Sequence, residues 1–415
     1  MIDGKQFITE FKDRGFFYQC TDEEALSDSL AKTKNPAAYI GFDGTATSLH
    51  IGSLIQLMIL RMLQKHGIKP IILIGGATTK IGDPTFKDKA RQLLDTEQIN
   101  KNIAGIQKSI SKFVRIGEEK TDAIMLNNND WLSNLNYIDF LREYGKHFSI
   151  NRMLSFESVK LRLEREQNLT FLEFNYMLLQ AYDFLHLHDN HNCILQCGGS
   201  DQWGNIINGV ELIRRIRGKE AFGLTTPLTT TASGIKMGKT EQGAIWLNED
   251  LLSPYEYYQF WRNISDEDVF KFMKLYTDIS PEEIKQYEED KSTNINEFKK
   301  ILATEATKLC HGETEAQESH KAAIAAFEQG DMDNIQAVTI SKAQLKDGVF
   351  LYELFKMSNL CSSNSEGRRL IRGGGAKLNQ QKVTDENLQI TLKDFKNNSI
   401  TLSSGKKRHI KILMK

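Results

Sequence analysis

From about Ala38 onward, short apolar runs alternate with stretches of helical periodicity, and this alternation restricts the fold more than any other feature of the chain. Ala38 to Phe42 reads as a strand ending in the turn-forming pair Asp43-Gly44. Between Leu49 and His66, Ile51, Leu54, Ile55, Met58, Ile59, Met62 and Leu63 recur at helical spacing, with Gly67 as a suitable stop. Ile71-Ile72-Leu73-Ile74 is a continuous apolar run, as expected of a strand buried on both faces. Ala123 to Leu126 and Cys193 to Cys197 predict further strands with helices between them. That order predicts a parallel α/β sheet with right-handed crossovers. Ligands on such sheets sit beyond the carboxyl ends of the strands, where Asp43 and Gly198-Gly199-Ser200-Asp201 fall.

At 415 residues the chain exceeds one ordinary core, so two or three domains are expected. Its 40% hydrophobic and 26% charged residues describe a globular protein able to bury such cores. Met1-Ile2-Asp3-Gly4-Lys5 lacks the basic and apolar regions of a secretory signal, and no stretch approaches the roughly 20 apolar residues of a membrane span. The five cysteines (Cys20, Cys193, Cys197, Cys310, Cys361) are scattered and suit free thiols, so the expected location is cytoplasmic, with no membrane partner. After Thr240 the character changes. Ser280-Pro281-Glu282-Glu283 offers a capping Ser, a Pro in the first helical position and a Glu three residues after the cap, and Ser265-Asp266-Glu267-Asp268 is a weaker version. Residues 1–247 thus precede a helical domain at 248–328, a linker starting near Gly330, and a small α+β module at 340–415. The net charge of −1 conceals an asymmetry: Glu366 to Lys415 hold twelve Lys/Arg against four Asp/Glu, a net of +8, which leaves −9 for the rest. Such a basic block suits a phosphate backbone, or simply a solvated surface.

Two short segments far apart carry the chemistry: Leu49-His50-Ile51-Gly52-Ser53, downstream of Tyr39-Ile40-Gly41-Phe42-Asp43, and Lys236-Met237-Gly238-Lys239-Thr240, flanked by Gly234 and Gly243. In this order they resemble the HIGH and KMSKS signatures of class I aminoacyl-tRNA synthetases. Their surroundings are similar to the bacterial-type tyrosyl-tRNA synthetase family over essentially the whole chain. The resemblance implies a Rossmann-like parallel-sheet catalytic domain, an α-helical anticodon-recognition domain and a small α+β RNA-binding module of the alpha-L type. Ser53 stands where His is usual and Gly238 where Ser is usual, while Thr240 keeps the terminal hydroxyl. Gly238-Lys239-Thr240 also matches the end of a P-loop, but that motif needs a Gly where Ser233 stands.

Forming an aminoacyl-adenylate requires no protein nucleophile. The amino-acid carboxylate attacks the α-phosphorus of ATP and pyrophosphate leaves, so catalysis is positioning plus stabilisation of spreading phosphate charge. A helix beginning near His50 aims N–H groups and a positive dipole end at that charge, and Gly52 removes a side chain where the nucleotide lies. By resemblance, Thr45 and His50 act on the phosphate side, and Lys236 and Lys239 face the leaving pyrophosphate. Gly41, Asp43, Gly52, Ser53, Gly199, Asp201 near the ribose, Gln202, Lys239 and Thr240 complete the implied ATP site with His50. ATP is a substrate accompanied by Mg2+, and neither a dedicated carboxylate cage nor a tightly bound cofactor is expected.

Tyr176, Gln180 and Asp183 recur at four and three residues and share one helix face, which matches the tyrosyl family's substrate helix. Taken alone, the same spacing suits a helix whose polar face is solvated. The resemblance implies that Tyr176 and Gln180, with Asp83, hold the substrate's α-ammonium, that Asp183 and Tyr39 bond its phenol hydroxyl, and that Gln196 lines the pocket. A ligand lacking that hydroxyl leaves these groups unpaired, which penalises phenylalanine. Asp83-Pro84 is a turn after a buried strand. His186, His188, His191 and Cys193 fit no standard zinc spacing, and no metal site is expected.

Toward the end of the chain, Leu351 to Leu360 reads as a helix. Ser365 to Ile371 begins another, running into Gly373-Gly374-Gly375 and Lys377-Leu378-Asn379. This resembles the alpha-L RNA-binding motif, in which Arg368, Arg369, Arg372 and Lys377 meet phosphates. The implied function is tyrosine–tRNA ligase activity, with L-tyrosine, ATP and tRNA(Tyr) as partners and a homodimer as the assembly. Leu169-Thr170-Phe171-Leu172 is the candidate interface, or equally a buried segment. A tryptophanyl relative is the nearest rival, because an indole N–H also suits Asp183; the pairing of Tyr39 with Asp183 and the alpha-L-like terminus favour tyrosine. A catalytically retired RNA-binding paralogue is expected to have lost the lysines or the substrate helix, and Lys236, Lys239, Tyr176, Gln180 and Asp183 are intact.

Overall fold

A six-stranded sheet is the centre of the first of two units, residues 1–320; residues 321–415 form the second. In this computed structural model the described residues are 2–83, 95–232, 234, 237–240, 243–327, 337–345, 348–379, 381–395, 399–405 and 408–414. The chain runs through α1 (Gly4–Asp13), β1 (Gln19–Cys20), α2 (Glu23–Lys32), β2 (Ala37–Asp43), α3 (Leu54–Lys65), β3 (Lys69–Gly75), α4 (Thr96–Ser111) and β4 (Ile124–Asn127). Short helices follow: α5 (Asn129–Leu132), α6 (Tyr137–Glu143), α7 (Ile150–Ser155) and α8 (Glu157–Glu164). The long α9 (Phe171–His191) then leads to β5 (Cys193–Gly199), α10 (Trp203–Arg217), β6 (Phe222–Thr226) and the small pair β7 (Lys239–Thr240) and β8 (Gly243–Ala244). A helical segment contains α11 (Pro254–Arg262), α12 (Val269–Tyr276), α13 (Pro281–Glu289), α14 (Ile295–His311) and α15 (Glu313–Phe327).

The strand order is β1-β6-β5-β2-β3-β4, parallel throughout except for the edge strand β1. The chain builds outward from β2 in both directions, so the β2–β5 boundary is the point where connections reverse, the usual ligand position on such a sheet. The expected parallel α/β fold is therefore present. Sequence patterning missed β6, because Gly223 and two threonines interrupt its apolar run although all five residues are buried.

Ala37, Tyr39, Ile71 and Leu73 on one face of β2 and β3 pack with Phe184 and Leu187 of α9 and Leu212 of α10. The alternate residues Ala38, Ile40, Ile72 and Ile74 are equally buried, and α3 covers the other side of the sheet. Each fully buried large apolar side chain of this kind contributes roughly 1.5–3 kcal/mol. The predicted helix from Leu49 to His66 is shorter than expected. A 3-10 turn at Ile51–Ser53 precedes α3, because Leu49 and Ile51 instead bond to the chain at Leu247 and Ile245.

Helix α11 starts at a Ser253–Glu256 capping box with Pro254 behind the cap, and Ser280 caps α13 as anticipated. Arg14, buried at 6% exposure, donates to the carbonyls of Lys274, Thr277 and Ile279. A guanidinium is well placed there, beside the negative end of α12. Residues 248–320 thus share one unit with the sheet.

The second unit contains β9 (Ala337–Ile340), α16 (Lys342–Leu345), β10 (Val349–Phe350), α17 (Leu351–Met357), α18 (Asn364–Arg372), β11 (Ala376–Leu378), β12 (Gln381–Val383), β13 (Gln389–Ile390), β14 (Ser399–Ser404) and β15 (Arg408–Met414). Its main sheet has the order β12-β11-β14-β15-β9, with β9 parallel to β15. Helix α17 stops before the predicted Leu360, because Asn359 takes the left-handed conformation at φ +56° and turns the chain. The predicted linker start at residues 330–334 lies outside the described residues. Among the described residues, no helix is long and apolar enough to cross a membrane.

Candidate active site

A cavity of about 290 Å³ opens at the carboxyl ends of β2 and β5. Its lining gathers Tyr39, Gly41, Asp43, Gly52, Ser53, Asp83, Tyr176, Gln180, Asp183, Gln196, Gly199, Asp201 and Gln202, every one of them anticipated from sequence. Thr45 and His50 line an adjoining cavity that shares Gly41, Asp43 and Ser53. Strand ends supply Asp43 and Gly199, while α9 presents Tyr176, Gln180 and Asp183 along one face.

Tyr39 on β2 is paired in register with Gln196 on β5, so both side chains leave the sheet on the same side. Both are buried, and among the described residues neither the Tyr39 hydroxyl nor Gln196 Oε1 has a hydrogen-bond partner. Burial, and then the nearby Asp183 charge, push the Tyr39 phenol well above its ordinary range. Asp183 is also fully buried, and its carboxylate accepts from Asn128 Nδ2 at 2.9 Å and Trp131 Nε1 at 2.7 Å. Burial pushes the Asp183 carboxyl up to about 7; the two N–H donors oppose this and the Asp43 charge adds to it. A cavity that leaves a buried hydroxyl and an amide oxygen unpartnered favours a ligand carrying its own donor and acceptor.

Asn128 and Trp131 escaped the sequence reading. Asn128 is fixed by donating to Thr78 Oγ1 at 3.0 Å and by accepting from the Ala77 N–H at 2.9 Å. Trp131 stacks on His186 with ring centroids 4.2 Å apart. The Asn127-Asn128-Asn129 run after β4 was the available signal, since polar residues at a parallel-strand terminus face the ligand side. Toward the cavity mouth, Gln202 Nε2 donates to Asp83 at 2.7 Å and Gln202 Oε1 receives Gln180 Nε2 at 3.4 Å. Gln202 therefore joins two residues expected to bind the ammonium, in addition to its place beside Asp201. Tyr176 donates to Asp43 at 3.4 Å.

Beside the adjoining cavity, His50 Nδ1 accepts the Gly52 N–H at 3.0 Å. Residues 49–51 are zipped to residues 245–247 by Ile51 N–H to Ile245 and Leu247 N–H to Leu49, around a His50–Trp246 bridge. Backbone from the lysine-bearing segment closes over this turn. A Cβ on Gly52 would lie 2.6 Å from the His50 ring and 2.8 Å from the Met237 carbonyl, so only glycine fits. Lys236 lies outside the described residues, and Lys239 and Thr240 are described by their backbone, as β7.

In the second unit Arg368, Arg369, Arg372 and Lys377 are all exposed, on α18 and β11. Arg368 donates to the Tyr352 hydroxyl at 2.9 Å, and Arg372 pairs with Glu386 at 2.7 Å, two partners that sequence reading had not supplied. In the first unit Phe171 and Leu172 are exposed at 69% and 46%, whereas Leu169 packs into a buried cluster and Thr170 caps α9.

Residues 31–328 match the family of tRNA synthetases class I (W and Y). The chain is 58% identical over 406 residues to the tyrosine--tRNA ligase of Rickettsia felis, covering 97% of this chain and 98% of that protein. It is 57% identical over 407 residues to the Rickettsia massiliae tyrosine--tRNA ligase, with 98% and 99% covered. A C-terminally truncated mitochondrial tyrosyl-tRNA synthetase from Aspergillus nidulans has a similar structure, with a TM-score of 0.70 at 29% identity, covering 77% of this chain and 94% of that one. The chain belongs to the class I tRNA synthetases of the W and Y family, on the tyrosyl branch.

Proposed function

We infer that this protein is a tyrosine–tRNA ligase, which converts L-tyrosine and ATP to tyrosyl-adenylate and pyrophosphate, then transfers the tyrosyl group to tRNA(Tyr) with release of AMP. The observation that carries the substrate reading is the buried Tyr39 hydroxyl, without a partner among the described residues, in the same cavity as Asp183 at the sheet's reversal point. In this reading the phenol donates to Asp183 and accepts from Tyr39, and Gln196 lines the ring. Asp83, Tyr176 and Gln180 receive the ammonium, with Gln202 holding two of them in place. The nucleotide lies along Gly41, Asp43, Gly52, Ser53, Gly199 and Asp201, with its phosphates toward Thr45 and His50. Lys236, Lys239 and Thr240 meet the leaving pyrophosphate, and Mg2+ enters with ATP.

By role, residues 1–247 perform activation, 248–328 recognise the anticodon arm, and 340–415 hold tRNA phosphates through Arg368, Arg369, Arg372 and Lys377. Exposed Ile150, Leu154, Leu163, Phe171 and Leu172 on neighbouring short helices and the start of α9 support a homodimer face, and the setting is cytoplasmic. Tyrosine-dependent exchange between pyrophosphate and ATP tests this reading. Exchange driven by tyrosine and not by phenylalanine or tryptophan is expected; exchange driven equally by tryptophan, or none with tyrosine, overturns it.

A further inference from the structure

Asp268 is buried at 2% exposure and occupies the N-cap position of α12, yet its side chain makes no capping bond. Its Oδ2 instead accepts the backbone N–H of Ala232 at 2.9 Å. One turn on, Lys271 Nζ donates to the carbonyl of Thr230 at 2.6 Å and lies 4.0 Å from Asp268. The first turn of α12 therefore holds both a donor and an acceptor of the stretch that enters the lysine-bearing segment. Thr229, in the same stretch, accepts the N–H of Met237, and the Met237 carbonyl lies against Gly52. A series of contacts thus runs from the Asp268 and Lys271 side chains, through the backbone of Thr229–Ala232 and Met237, to the turn beside His50.

We propose that Asp268, assisted by Lys271, is a positioning residue for adenylate formation: it fixes Thr230–Ala232, and through them the backbone that places Lys239 beside the reacting phosphates. This rests on the role given above to the lysines. A carboxylate spent on a distant N–H rather than on its own helix points to placement of that stretch as its task, since capping would otherwise stabilise α12 directly. The residue touches no substrate. Its effect falls on the rate of activation and spares tyrosine binding, because neither Asp268 nor Lys271 lines the cavity that holds Tyr39 and Asp183.

The test uses the full-length protein with Asp268→Ala, Asp268→Asn, Lys271→Ala, Lys239→Ala and the combined Asp268→Ala/Lys239→Ala. Pyrophosphate exchange gives kcat, and equilibrium dialysis gives the tyrosine Kd. Asp268→Ala is expected to lower kcat about 10- to 100-fold, with the Kd changed less than about twofold. Asp268→Asn keeps an acceptor for the Ala232 N–H and restores most of the lost rate. In the Lys239→Ala background, Asp268→Ala costs little more, because the cation it places is gone. Fully additive losses, or parallel losses in kcat and tyrosine affinity, overturn the proposal. If Asp268→Ala does not fold, the half-exposed Lys271→Ala decides, and wild-type exchange in it overturns the proposal. Wild-type exchange by Lys239→Ala would instead remove the reading of the lysines, a separately visible failure.

Discussion

The imidazole of His50 and the backbone of Gly238 touch: a Cβ at residue 238 would sit 2.7 Å from His50 Nδ1. Gly238 also has φ +104°, a conformation that L side chains rarely adopt. Serine is usual at this place in the signature, and in this geometry a serine Cβ would meet the His50 ring and the Gly52 N–H. Gly238→Ser is expected to lower the rate of adenylate formation at least about tenfold, since backbone strain of ~1–3 kcal/mol adds to the clash. Gly234→Ala is the control, because Gly234 shares a positive φ of +81° but a Cβ there meets nothing within 4 Å among the described residues. Single-turnover measurements that find the two variants equally slow would show that the His50 contact is irrelevant.

Removing the Tyr39 hydroxyl separates binding from stability. The group is buried and has no partner among the described residues, so Tyr39→Phe should melt no lower than the parent. Its preference for tyrosine over phenylalanine in pyrophosphate exchange should narrow, because a hydroxyl-directed partner is lost. Undiminished discrimination would mean that residue 39 does not meet the phenol.

With Asp183 accepting from the phenol, as proposed, tyrosine binding is expected to depend on pH. Burial raises its pKa to about 7, so near neutrality part of the population holds a proton. A phenol that donates to the carboxylate must displace that proton. Tyrosine affinity should therefore rise with pH through about 7 and level off above it, falling about tenfold per unit below. Trp131→Phe removes a donor that favours the ionised form and should move the midpoint upward. Tyrosine Kd values over a pH series check both points, and a flat wild-type profile would contradict the donor role.

A chain ending at Phe327 lacks the +8 segment from Glu366 to Lys415. It is expected to form tyrosyl-adenylate while charging tRNA poorly and with a shallower salt dependence, since Lys/Arg–phosphate contacts are lost. Normal charging with an unchanged salt slope would remove the RNA-binding role of residues 340–415. Loss of adenylate formation as well would mean that the first unit needs the second in order to fold.

Much of the site was legible because its residues lie where patterns end: Asp43 after an apolar run, Tyr176 to Asp183 on one helical face. Hydrophobic period identifies the strands, and strand order then fixes which ends face the ligand. The partners of Asp183 were not legible in this way. Asn128 and Trp131 reach it from 55 and 52 positions earlier in the chain, and no local period encodes that meeting. The early 3-10 turn at His50 was hidden for the same reason, since its cause is the backbone at Ile245 and Leu247.

That ladder between residues 49–51 and 245–247 also has a consequence in time. Asn248 bonds Ser48 across 200 positions, so the turn around His50 acquires its backing only after the far strand has been made. At ordinary elongation rates the interval is roughly 10–40 s. During synthesis the strands from β2 to β5 are complete before this backing exists, so the turn around His50 is the later part of the site to be finished. On the proposed function, the onset of adenylate formation on ribosome-bound chains of increasing length would date the closure of this ribbon.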